Sequence, residues 1–128
     1  MSSINRGLVV VKPKQPLLEW LRKINAADKN DDLAELQFDS TGYLVPEYED
    51  DNEQREILKE FHASIFELEL ESWTPEESTW PKQRDLKMFL EWFEVEFHSV
   101  VHDLAEGLPM QDVAYGNDPD DYDEDEFD

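Results

Sequence analysis

Between Leu86 and Leu104 the apolar residues Leu86, Phe89, Leu90, Phe93, Phe97, Val100, Val101 and Leu104 recur mostly three or four positions apart. Residues so spaced share one side of an α-helix, since successive side chains turn through about 100°. The run predicts a long amphipathic helix that ends before Gly107-Leu108-Pro109. Its apolar side must be covered by the rest of the chain, which makes this helix the expected backbone of the core.

The remaining apolar residues supply what covers it. Leu8-Val9-Val10-Val11 is a continuous, largely β-branched run closed by Lys12-Pro13, and predicts a short buried strand over Gly7 to Lys12. Pro16 suits the first turn of a helix, and Leu17, Leu18, Leu21 and Ile24 follow on one face with Trp20 beside them. A helix is expected from about Pro16 to Asn25. Residues 26 to 32 have no period and read as a loop, in which Asp31 is placed to cap a short turn holding Leu33 and Leu36. The run Tyr43 to Tyr48 after Gly42 has strand character, and Pro46 assigns it to an edge beside the first strand. Ile57, Leu58, Phe61, Ile65 and Leu68 predict a helix that begins near Asn52. Over Ile65 to Glu71, Phe66, Leu68 and Leu70 also alternate with glutamates as in a strand, but leucine and glutamate favour helix and no breaker precedes Trp73. The expected fold is therefore α+β and helix-rich: a small two-stranded sheet with about three helices, the last two antiparallel.

Length and charge bound the function. The chain has 128 residues, 39% of them hydrophobic, enough for one domain, which the pattern places at residues 1–110. No segment has the ~18 to 20 apolar residues that span a bilayer, and the short apolar run near the start is no signal peptide, so a cytoplasmic protein is expected. There is no cysteine, which removes disulfides, thiolate metal sites and cysteine nucleophiles. The four glycines are too scattered to form a phosphate-cradling loop or a nucleophile elbow. A formal charge of −22 opposes direct contact with nucleic acid or an anionic membrane surface and favours a basic protein partner. The bland counterpart is acidity that serves solubility alone.

Three groups of residues are candidates for function. From residue 111 the apolar period vanishes, and residues 111–128 read as an acidic disordered tail. Its carboxylates Asp123, Glu124, Asp125 and Glu126 lie among Tyr115, Tyr122 and Phe127, the pattern of a strip that docks in a basic groove, or of a solubility aid. On the expected last helix, Glu91, Glu94, His98 and His102 share one flank. Glu94, His98 and His102 would then hold a divalent transition metal, with His62 or Glu69 as a further ligand. The zincin pattern is missing, and ordinary polar residues on a helix flank explain the same spacing. Trp73, Trp80, Lys82, Arg84, Lys87 and Trp92 mix bases and aromatics, and Trp80 with Arg84 has the chemistry of an interface hot spot, although tryptophans in short domains are usually core. No catalytic constellation is evident, and no cofactor other than the metal is implied. The expectation is a non-enzymatic acidic interaction or regulatory protein that binds a basic protein, as an inhibitor or a nucleic-acid mimic; the alternative is a metal-binding helical domain, extending to a small metal-dependent enzyme.

Overall fold

The computed structural model describes residues 3–113. Among these the chain runs β1 (Arg6–Pro13), α1 (Gln15–Lys23), α2 (Leu33–Leu36), β2 (Thr41–Pro46), α3 (Asp51–Trp73), α4 (Leu86–Trp92) and β3 (Phe93–His98), with a 3₁₀ turn at Glu77–Thr79 between α3 and α4. The three strands form one antiparallel sheet in the order β2-β1-β3. The class is α+β, as the sequence indicates, with a third strand that the spacing does not announce and with the expected short turn at Leu33 and Leu36 forming a fourth helix.

Local chemistry accounts for most boundaries. Proline stands in the first turn of α1. The short α2 opens with a capping box, but on Asp32 rather than Asp31: the Asp32 carboxylate accepts from Glu35 N–H while the Glu35 side chain accepts from Asp32 N–H. Asp50 caps α3 by accepting from Glu53 N–H, and that helix continues unbroken through Ile65 to Glu71. Phe66 and Leu70 are fully buried there, forming the second apolar stripe that decides helix over strand.

The expected long helix from Leu86 to Leu104 is corrected. Asp85 caps α4 through the Met88 N–H, which holds its carboxyl below the usual range, but the helix stops at Trp92 and β3 begins with the next residue. Two causes combine. Phe93, Val95 and Phe97 are aromatic or β-branched and alternate with Glu94, Glu96 and His98, a period that suits a pleated strand as well as the wider spacing suits a helix. The deciding term is tertiary. Val9 and Val11 of β1 are 0% exposed, and a strand so buried needs backbone partners on both edges. β2 supplies one and β3 the other, so the two-stranded sheet becomes three-stranded.

The core lies between the helices and one face of this sheet. Val9, Val11, Val45 and Phe93 point into it from the strands, and Leu17, Leu21, Phe66 and Phe89 meet them from α1, α3 and α4. Phe66 is the hub: its ring centroid lies 5.9 Å from Phe89, 5.8 Å from Trp92 and 5.4 Å from Phe93. Gly7 admits the ring of Tyr48, since a Cβ there would stand 2.7 Å from Tyr48 Cε1. Tyr48 in turn packs edge-on against Phe97 on β3, with centroids 5.4 Å apart.

Candidate functional site

Among the described residues, no helix lies over the second face of the sheet. β1 sends Val9 and Val11 into the core and Leu8, Val10 and Lys12 to the opposite side, where all three are half-buried. The register sets Leu44 opposite Leu8 and Gly42 opposite Val10 on one flank, and His98, Glu96 and Glu94 opposite Leu8, Val10 and Lys12 on the other. Leu8 leans over Gly42, where an added Cβ would meet its Cδ1 at 3.2 Å. Leu44 is 46% exposed. The result is an apolar centre of Leu8, Val10 and Leu44, bordered along β3 by carboxylates.

The charges on that border are ordered. Lys12 Nζ donates to Glu96 Oε2 at 3.0 Å, and His98 Nε2 lies 3.4 Å from Glu96 Oε1. The bond to Lys12 holds the Glu96 carboxyl below the usual carboxylate range, and the same bond raises the Lys12 ammonium. Glu94 is exposed and forms no ion pair among the described residues. The pair at Lys12 is exposed enough for solvent to screen it, so it orients Glu96 rather than stabilising the fold.

The residues expected to bind a metal are redistributed. Glu94 and His98 lie on β3 with Glu96 between them, all on the open face, whereas His102 follows the strand and bridges to Ser3. Glu91 stays behind on α4. His62 turns Nδ1 to the carbonyl of Leu58 at 3.0 Å and sets its ring against Phe89. Without the helix, the shared flank that grouped these side chains is lost, and among the described residues no three of His, Asp and Glu are placed to hold a metal ion.

Trp80 and Arg84 do come together: the guanidinium carbon is 5.8 Å from the Trp80 ring centroid. Their polar atoms are engaged within the domain. Arg84 donates to Pro81 O at 2.7 Å and to Glu67 Oε2 at 3.2 Å, and Trp80 Nε1 donates to Thr74 O at 3.2 Å. This pair fastens the α3–α4 connection to α3, and Trp92 packs against Trp20 in the core layer. The tail residues Tyr115, Tyr122, Asp123, Glu124, Asp125, Glu126 and Phe127 lie outside the described residues.

One ionisable group is buried among the described residues. Glu69 of α3 is 4% exposed, and its Oε2 accepts from the Tyr43 hydroxyl of β2 at 2.5 Å. Burial raises its pKa above the ordinary glutamate value, while the hydroxyls of Tyr43 and Thr41 pull in the opposite direction. No local pattern distinguishes Glu69 from Glu67 or Glu71; only the docking of β2 selects it.

No family model, curated protein or solved structure matches the chain. Among the described residues no helix is long and apolar enough to cross a membrane.

Proposed function

We propose that this chain is a non-enzymatic acidic interaction protein that binds a basic protein partner, and that the open face of the sheet is where the partner sits. The observation that carries this reading is the composition of that face, with Leu8, Val10 and Leu44 at the centre and Glu94 and Glu96 beside them. Apolar side chains flanked by like charges suit a segment that offers apolar residues with lysine or arginine next to them. The overall charge of −22 acts in the same direction by drawing such a partner in before contact. The partner then turns the chain to its purpose by masking: a basic surface held here is withheld from nucleic acid or another polyanion.

The test is a pair of surface variants that leave the core intact, Leu44→Arg and Glu94→Lys. Proteins captured by the wild type at low salt are expected to be basic, to elute as salt is raised, and to be lost by both variants. Screening over ~8 to 10 Å at physiological ionic strength sets the salt range over which elution is expected. Capture that survives high salt and both substitutions unchanged overturns the proposal.

A further inference from the structure

On the opposite side of the sheet a cleft of about 550 Å³ opens between β2 and the last turns of α3. Its walls are Tyr43, Leu68, Trp73 and Pro75, with Thr41, Glu71 and Ser72 supplying the polar atoms. The carboxyl of Glu69 lies directly behind Tyr43 and Thr41.

Two features of this cleft share one sign. Glu71 on the rim carries a carboxylate that enters no ion pair among the described residues. The cleft also stands at the C-terminal end of a 23-residue helix whose last turn holds no basic residue. That end of a helix is its negative pole, which lysine or arginine ordinarily offsets. A carboxylate there repels the helix dipole, so the missing element is a cation. The walls specify what kind: two aromatic residues, a leucine and a proline suit an apolar stem, and ring faces attract an organic cation by their quadrupole. The volume lies within the range of small-ligand sites.

We infer that the cleft between β2 and the end of α3 binds an organic cation on a flexible apolar stem, an alkylammonium group such as a lysine side chain carries. Its stem packs between Tyr43, Trp73 and Leu68, and its charge is balanced by Glu71 and the final carbonyls of α3. The site is separate from the open face, since Thr41 and Tyr43 project from β2 toward the helices.

The experiment is an NMR titration of the full chain, following the Trp73 indole N–H, assigned by its loss in Trp73→Phe, together with Tyr43. The probes are Nα-acetyl-lysine methylamide and its uncharged norleucine counterpart. Saturable shifts at Trp73 and Tyr43 with the lysine probe, and none with norleucine, are expected. Glu71→Gln, an exposed substitution, should weaken binding about tenfold. A pentapeptide with a central lysine and free n-butylammonium distinguish the source: tighter binding of the peptide assigns the cation to a protein side chain, and tighter binding of the amine to a small molecule. Equal binding of norleucine, an absence of shifts at Trp73 and Tyr43, or wild-type affinity in Glu71→Gln overturns the inference.

Discussion

Phe66→Ala tests the architecture at the point where its elements meet. The Phe66 side chain is 0% exposed, and burial alone accounts for about 2 to 3 kcal/mol of its contribution. Truncation leaves a cavity that the rings around it cannot close, which brings the loss to about 3 to 5 kcal/mol. Its ring contacts with Phe89, Trp92 and Phe93 each add about 0.5 to 1.5 kcal/mol beyond area and place the expected loss near the top of that range. Alanine is the better helix former, so α3 itself does not weaken and the loss reports packing. With a slope of about 1.5 kcal/mol per molar urea, a loss of 4 kcal/mol lowers the unfolding midpoint by about 2.7 M at unchanged slope. Equilibrium urea unfolding followed by far-UV circular dichroism measures this directly. A loss below about 1 kcal/mol, the scale of an ordinary surface substitution, refutes the placement of Phe66 between α4 and β3.

Two further outcomes follow from particular contacts. Because the folded-state pKa of Glu69 is raised above the ordinary 4.5, the native state keeps a proton that the unfolded chain releases, so this group's contribution to stability is complete below about pH 4.5 and declines as pH rises through the raised value. Glu69→Gln removes that decline; urea melts from about pH 4 to about pH 8 should show a flatter profile for the variant, and parallel profiles would show that the carboxyl is not buried as described. Gly7→Ala drives a Cβ into the Tyr48 ring and off its contact with Phe97, and is expected to cost about 1 to 3 kcal/mol by thermal or urea unfolding. In a Tyr48→Ala background the same substitution should cost little, and an undiminished cost would place the strain elsewhere.

What could be read from the sequence was what depends on neighbours in the chain. The first strand, the proline start of α1 and the whole of α3 follow from propensity, capping and period, and Ile65 to Glu71 stays helical because nothing in the chain stops it. The edge strand was also legible from its proline, although it begins at Thr41. The failure at Phe93 has a different origin. Phe89, Phe93 and Phe97 obey a helical spacing while Phe93, Val95 and Phe97 obey a strand's, and only the unfilled edge of β1 chooses between them. The candidate site inherits that choice. With β3 a strand, Glu94 and His98 join Glu96 on the open face rather than forming a helix flank with His102, and the Lys12–Glu96 pair appears. Glu69 and Tyr43, 26 positions apart, meet only after β2 has docked on α3.

The position of β1 in the middle of the sheet sets an order of events during synthesis. Its partner β2 follows closely, so an antiparallel pair can form as soon as Pro46 has left the ribosome. The other edge must wait: Lys12 and Glu96, which meet across the β1–β3 ladder, are 84 residues apart. At about 5 to 20 residues per second, that interval exposes a strand edge of valine and leucine for roughly 4 to 17 seconds on the growing chain. A nascent chain stalled before Phe93 therefore carries an adhesive, half-finished sheet, while one released beyond His98 closes it, and the hazard of misassociation is concentrated in the time needed to translate α3 and α4.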